Sequence, residues 1–369
     1  MTKVLLDARM IDSSGIGTYL QNLIPFLKNH LNLSLLGERE KVEEYIDISN
    51  LNFISMKSPI YFPTEQIEFL LKIKDVDIFW SPHFNVPVFP IRAKKRIVTI
   101  HDVFHLAFGE LYSPFERTYA KFLINSAVNL SDVIITVSNF SKSEIIKYTG
   151  VKEEKIKVIY NGVDRERFRV YEKEELEKIK SEYKLPNRFL LFVGNVKPHK
   201  NLRRLLKAFK IIAGDFKDLF LVITGKKEGF LKGDKKIFEL INKDTILKER
   251  VIFTGHVDKG DLPYLYNLAE IFVFPSLYEG FGLPPLEAMA CGCPIVVSHI
   301  PPLWEICKDA AYYINPHDEW DIAKGIKEVL ENEKLRKELI DKGIERAKEF
   351  SWEKSAREHL NLIEKTLFI

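Results

Sequence analysis

Two carboxylates, Glu279 and Glu287, frame a Gly-Phe-Gly loop and a Pro-Pro pair in the run Tyr278-Glu-Gly-Phe-Gly-Leu-Pro-Pro-Leu-Glu287. Prolines suit the first turn of a helix, where the N–H groups have no intrahelical acceptor to lose. The preceding Ile271-Phe-Val-Phe-Pro275 reads as a buried parallel strand. One carboxylate is therefore expected at the carboxyl end of a strand and the other in the first turns of the next helix. Between them, backbone N–H groups of Gly280, Phe281, Gly282 and Leu283 are expected at a helix N-terminus, a ready site for a phosphate. Spare carboxylates beside a phosphate suit neutral hydroxyls, such as those of a ribose or another sugar. The constellation predicts a nucleotide-sugar site.

Other segments supply groups of matching chemistry. In Val193-Gly-Asn-Val-Lys-Pro-His-Lys-Asn201 a glycine ends a strand and Lys200 opens a helix, where an ammonium can meet a diphosphate. Asn195 lies in the same loop. Ser14-Gly-Ile-Gly-Thr-Tyr19 follows the first expected strand, and Gly15 and Gly17 leave room for a phosphate near the Gly17 backbone. A dinucleotide fingerprint would need a third glycine, but Leu20 stands there, and Glu38 is a poor substitute for the acid that holds an NAD ribose. His101-Asp-Val-Phe-His105 has the spacing of a zinc pair, yet Asp102 follows the first histidine where zincins carry glutamate, so His101 reads as a polar or acid–base group of a cleft or else as a core histidine satisfied by a backbone carbonyl. Asp75-Val-Asp77 leads into a strand and so falls at its amino end, away from the other clusters. No metal site is expected.

The elements that must position these groups alternate short apolar runs with amphipathic stretches, as in βα units of parallel sheets. Strands are expected near 3–7, 32–36, 51–56, 77–81, 96–100, 132–137 and 156–160, then near 189–193, 219–224, 251–254, 271–275, 294–298 and 311–314. Apart from Asp75-Val-Asp77, the polar and Gly-rich clusters named above follow the carboxyl end of one of them, where open α/β sheets bind ligands. Two doubly wound sheets facing each other would bring those ends to one cleft. The division expected is 1–170 for a first domain, 171–350 for a second, and 351–369 for a terminal helix that caps the second domain or packs back on the first. The best candidate linker is Asn161-Gly-Val-Asp164 followed by a charged helix, Glu172 to Tyr183, closed by Leu-Pro186, which puts the boundary around 165–187.

Composition is that of a globular protein of 369 residues, 46% hydrophobic and 29% charged. A net charge of +3 gives no case for nucleic acid as a partner. The basic cluster Arg92, Lys94, Lys95 and Arg96 is read as a solvated loop before a strand, or else as a contact with anionic lipid or a phosphorylated acceptor. No apolar run reaches the ~18 residues of a membrane span, and the chain opens on a strand without a signal peptide, so a cytoplasmic protein is expected, with peripheral attachment at the inner membrane face left open. Cys291, Cys293 and Cys307 read as small buried thiols.

The paired-glutamate run with its following Ala-Met-Ala-Cys-Gly, together with Gly194…Lys200-Asn-Leu202, resembles the retaining, metal-independent GT-B glycosyltransferases of family 4. The similarity spans almost the whole chain and includes Thr99-Ile-His-Asp102, Val137-Ser-Asn-Phe-Ser141 and Asn161-Gly-Val-Asp164. It implies a GT-B fold, an α/β architecture of two Rossmann-like parallel-sheet domains facing each other across a cleft. By the same resemblance, Glu279 faces the donor sugar and Glu287 the ribose, and Gly280, Phe281 and Gly282 hold sugar and phosphate. Lys200 binds the diphosphate, Gly17 approaches it from the first domain, and His101 lines the sugar and acceptor side. Many members carry an arginine near position 195; this chain has Asn195 and Lys197. The implied reaction is transfer of a sugar from a nucleotide sugar to a glycan or lipid-linked acceptor, without cofactor. The Gly-Ile-Gly-Thr-Tyr19 and Pro-Pro forms look most like mannosyltransferases using GDP-mannose. A UDP-glucose enzyme of the same fold and, from another class, an NAD-dependent oxidoreductase remain as alternatives.

Overall fold

The structure, a computed structural model, describes residues 2–225 and 235–368. It forms two compact units, Met1–Gly162 with Ser351–Ile369, and Val163–Phe350. In the first unit the apolar runs become β1 (Lys3–Asp7), β2 (Asn32–Leu36), β3 (Asn52–Ile54), β4 (Val76–Ser81), β5 (Ala93–Thr99), β6 (Val133–Thr136) and β7 (Ile156–Val158). They pair in the order β3-β2-β1-β4-β5-β6-β7, parallel throughout. The runs are continuous rather than alternating because both sheet faces are covered. Leu5, Leu6, Ile78, Trp80, Val98, Ile134 and Ile135 are all fully buried.

The second unit repeats the plan with β8 (Arg188–Val193), β9 (Leu219–Thr224), β10 (Val251–Gly255), β11 (Ile271–Phe274), β12 (Ile295–Ser298) and β13 (Tyr312–Ile314). Their order is β10-β9-β8-β11-β12-β13, again all parallel. The helix Leu202–Ile212 buries Leu202, Leu205, Leu206 and Phe209, spaced three and four apart, against this sheet. In both units the strand order reverses beside the first strand of the sheet, between β1 and β4 and between β8 and β11. Such a reversal opens a crevice at the carboxyl strand ends.

Each strand expected from the sequence is present, three with the expected bounds (3–7, 32–36 and 219–224) and the others with shifted ends. The largest shift corrects the reading of the basic cluster. β5 begins at Ala93, so Lys94, Lys95 and Arg96 lie in the strand and not in a solvated loop before it. Lys94 pairs with Asp77 at 2.7 Å and Lys95 with Asp132 at 3.3 Å, while the Arg96 guanidinium donates to the carbonyls of Pro87 and Phe89. Lys95 and Arg96 are spent on the fold, whereas Lys94, though paired, keeps 76% of its side chain exposed.

The expected division at 170/171 also moves. The charged helix expected in the linker is present as Lys173–Glu182 but belongs to the second unit, and the Tyr183 hydroxyl donates to Asp261 at 2.8 Å. The crossing lies at Gly162, where a Cβ would come within 2.1 Å of the Trp352 nitrogen. Only glycine lets the chain run so close to the start of the terminal helix Trp352–Thr366, which belongs to the first unit.

Candidate active site

In the second unit the loops leaving β8 and β11 flank the crevice, and three ties lock them together. The Leu277 N–H donates to the His199 carbonyl at 2.7 Å. The Asn201 amide donates to the Pro275 carbonyl at 2.9 Å and the Pro316 carbonyl at 2.6 Å. Lys200 Nζ meets Glu279 Oε1 at 2.6 Å, above the Phe274 ring. Two of the sequence candidates, from strands 79 residues apart in their loops, thus form one ion pair at the switch point. Asn201 was missed by the sequence reading. It is buried and left-handed at φ 59°, a conformation asparagine tolerates better than most residues, and it turns the chain so that Lys200 points inward.

Gly280, Phe281 and Gly282 follow Glu279 and are buried. Gly282, at φ 112°, starts the helix Leu283–Ala290, and a Cβ there would press on Leu303 at 2.8 Å. Pro284 and Pro285 occupy the first turn and have no N–H, so Leu283 is the one helical residue before Leu286 with a backbone donor. An anion at this turn would rely on the loop amides more than on the helix. Glu287 sits one turn further on, and the Tyr266 hydroxyl donates to its Oε2 at 3.1 Å. Burial pushes the Glu287 carboxyl up to about 7, against the pull of Tyr266, Arg167 and Lys259. Tyr266 is fully buried, and its hydroxyl needs a partner; a tyrosine 21 positions upstream gave no sequence signal of this contact. Beside the Lys200 loop lies a cavity of about 240 Å³ bordered by Lys197, Arg203, Arg204 and Lys207. Asn195 lies in that loop, its carbonyl accepting from the Lys197 N–H.

In the first unit Gly15 is exposed and Gly17 buried in the first turns of the helix Ser14–Leu27. Two local contacts surround Gly17, the residue read as a phosphate approach. Its N–H already donates to the Ser13 carbonyl at 2.7 Å, and a Cβ would stand 2.4 Å from the Ile11 carbonyl oxygen. The glycine is needed for packing the β1 loop on the helix.

His101 follows β5. Its Nε2 lies 3.0 Å from the Pro82 carbonyl, which can only accept, so Nε2 carries the proton and Nδ1 the lone pair. Burial lowers its pKa, keeping the ring neutral at neutral pH. Near it lie His105, the second histidine of that spacing, stacked on Tyr112 at 4.9 Å, and His83, which the sequence did not flag, with its Nδ1 3.2 Å from the Tyr61 hydroxyl. Asp77, the second aspartate of Asp75-Val-Asp77, accepts from the Lys3 N–H and pairs with Lys94. Among the described residues no three His, Cys, Asp or Glu side chains come together as a metal set. The three cysteines are buried and unpaired, and no helix of the described residues is long and apolar enough to cross a membrane.

Two doubly wound parallel sheets, with a lysine–glutamate pair at the switch point of the second, define a nucleotide-dependent α/β transferase of GT-B type. Family comparison agrees: residues 173–346 match the glycosyl transferases group 1 model and residues 13–167 the glycosyltransferase family 4 model. The O-antigen chain mannosyltransferase B of Escherichia coli is 31% identical over 301 residues, 81% of this chain and 77% of that protein. The N-acetylgalactosamine-N,N'-diacetylbacillosaminyl-diphospho-undecaprenol 4-alpha-N-acetylgalactosaminyltransferase of Campylobacter jejuni is 26% identical over 381 residues, 98% of this chain and all of that one. In fold, HepE of Anabaena, solved with UDP-glucose, superposes with a TM-score of 0.81 at 18% identity, over 100% of this chain and 99% of that one. The chain belongs to glycosyltransferase family 4 and is a glycosyltransferase that draws its sugar from a nucleotide sugar. The NAD-dependent oxidoreductase alternative falls with that membership.

Proposed function

We propose that this protein is a retaining, metal-independent mannosyltransferase that takes mannose from GDP-mannose to a hydroxyl of a glycan or lipid-linked acceptor. The observation that carries the reading is the Lys200–Glu279 pair, locked at the crevice by Asn201 and the Leu277 amide. Negative charge grows on the diphosphate as the sugar–phosphate bond breaks. Lys200 can exchange Glu279 for that diphosphate, and amides of Gly280, Phe281 and Gly282 add fixed dipoles, so the stabilisation is largest in the transition state. Lys197, exposed on the rim of the basic cavity, is the second phosphate cation in place of the family's arginine. Released from Lys200, Glu279 is placed to accept from sugar hydroxyls. Glu287 accepts from the ribose. A leaving phosphate oxygen takes the acceptor proton on the same face, which preserves the anomeric configuration. No step asks for a metal, because a lysine and backbone dipoles carry the phosphate charge.

Mannose as the sugar is supported by the mannosyltransferase relative, and UDP-glucose stays as the alternative because HepE, a fold neighbour, was solved with it. The Campylobacter relative acts, by its name, on a diphospho-undecaprenol acceptor. A cytoplasmic protein working at the inner membrane face fits such an acceptor. The outward face of the helix Pro63–Lys72, which exposes Ile67, Leu70 and Leu71, supports that contact better than the partly spent basic cluster does.

The test is a thermal-shift series with GDP, UDP and ADP, followed by turnover of GDP-mannose and UDP-glucose in excess EDTA. A nucleotide that binds only the folded state raises its melting temperature. GDP should stabilise most, and GDP-mannose should be consumed at an undiminished rate with chelator present, giving an α-linked product. Preference for UDP with transfer from UDP-glucose overturns the donor; activity lost in EDTA and restored by magnesium overturns the metal-free mechanism.

A further inference from the structure

Thr99 ends β5, two residues before His101, and stands in a buried chain of hydrogen bonds whose direction is fixed by its two ends. At one end the Trp80 indole N–H, which can only donate, meets Thr99 Oγ1 at 3.0 Å. At the other the Ser355 carbonyl, which can only accept, lies 2.7 Å from His359 Nδ1, so Nδ1 carries the proton. His359 Nε2 is then the acceptor, and the Tyr19 hydroxyl donates to it at 2.6 Å. With the hydrogen of Tyr19 spent, its 3.2 Å contact with Thr99 runs from Thr99 to Tyr19. Every hydrogen from Trp80 to Ser355 is assigned, with His359 neutral. Tyr19, Trp80, Thr99 and His359 are all 0% exposed, and burial pushes the His359 pKa down to about 4.

Four elements of the first unit meet here: the helix Ser14–Leu27, β4, β5 and the terminal helix Trp352–Thr366. The Tyr19 ring packs edge-on against His101, with centroids 5.0 Å apart at 89°, and His359 stacks on Trp80 at 5.3 Å. The main chain of His101 is held as well, its carbonyl accepting from Ser141 Oγ at 2.9 Å. The imidazole itself is held by Pro82 on one side and the Tyr19 ring on another.

We propose that Tyr19 and His359 are positioning residues for His101: the chain of hydrogen bonds fixes the Tyr19 ring, and that ring holds the His101 imidazole where its Nε2–H reaches the Pro82 carbonyl, the bond that sets its tautomer. The terminal helix then serves the reacting end of the first unit rather than merely covering it. This rests on the reading of His101 as an active-site group.

The test uses the full chain with Tyr19→Phe, His359→Gln and His359→Met, followed by nitrogen-15 NMR of the imidazoles and steady-state kinetics, with His101→Ala assigning the His101 signals. Glutamine keeps an acceptor where Nε2 stands; methionine fills the space without one. The wild type and His359→Gln should show a single Nε2–H tautomer for His101. Tyr19→Phe and His359→Met should show mixed tautomers and a kcat about tenfold lower, as expected of a slightly misplaced group, with donor KM unchanged. A lower melting temperature in all three variants, with the His101 tautomer and the kcat of the folded protein unchanged, overturns the proposal and leaves a packing role. Full turnover by His101→Ala overturns the reading of His101 itself, whereas the tautomer comparison still judges whether Tyr19 and His359 hold the ring.

Discussion

The two sheets share a strand order and differ in what fills the switch point. In the first unit Asp7, at the end of β1, and Glu65 both bind Arg9, at 2.7 and 2.9 Å, and Asn85 donates to Glu65 at 2.9 Å. None of the three charged side chains is more than 8% exposed. In the second unit Lys200 and Glu279 keep 18% and 12% of their side-chain surface. A sealed network whose one cation is already shared by two buried carboxylates serves to hold its loops. A two-membered pair at a partly open crevice can change partners. Only the second arrangement suits a substrate that arrives with its own negative charge.

The sharpest way to break that contrast is to remove the centre of the sealed network. Arg9→Met leaves Asp7 and Glu65 buried without their cation, and such a loss costs about 3–5 kcal/mol. Urea unfolding should show a loss of that size, while the folded fraction keeps its affinity for nucleoside diphosphate. A loss under about 1 kcal/mol, the scale of an exposed pair, would mean that the first crevice is as open as the second.

The opposite pattern is expected next door. Lys200→Ala should lower kcat/KM by about 10²–10³, the scale of one transition-state donor, with a melting temperature near wild type because the pair is partly exposed. Glu279→Ala should lower kcat to a similar degree but leave nucleoside diphosphate binding unchanged or tighter, since Lys200 loses its competing partner. Weaker nucleotide binding in Glu279→Ala, measured by calorimetry, would show that the pair does not exchange.

Much of this contrast was legible in the sequence, and unevenly so. The strands were, because parallel strands buried on both faces are unbroken apolar runs such as Phe189–Val193 and Ile271–Phe274. Lys200 and Glu279 were, because each is punctuated by glycines just after such a run. The network in the first unit was not. The helix Pro63–Lys72 turns Glu65 and Gln66 inward and Ile67, Leu70 and Leu71 outward, the reverse of the usual pattern, because Arg9 arrives from 56 positions away to meet Glu65. Periodicity cannot register such a partner. Gly17 was legible as a glycine that matters, but a close approach by the Ile11 carbonyl and a close approach by a phosphate demand the same residue. The unit boundary was missed for a related reason: the charged helix Lys173–Glu182 looks like a linker until Tyr183 is seen bonded to Asp261.

The smallest effect expected is the most specific to the open crevice. Burial raises the Glu287 carboxyl to about 7, so near neutral pH it is divided between its acid and its carboxylate. Ribose hydroxyls donate, and only the carboxylate has both oxygens available to accept from them and from Tyr266. Binding should therefore favour the ionised form and release a proton. Nucleoside diphosphate affinity should rise with pH and fall as pH drops through 7, by up to about tenfold between pH 8 and pH 6. The terminal phosphate titrates in the same range, so the measurement is the difference between the wild type and Glu287→Gln, whose amide does not titrate. The variant should lose the protein's share of the slope, and Glu287→Ala should bind more weakly by about 1–3 kcal/mol at pH 8. Parallel pH profiles for wild type and Glu287→Gln would place the ribose elsewhere and leave Glu287 as a buried partner of Tyr266, making the second crevice more like the first.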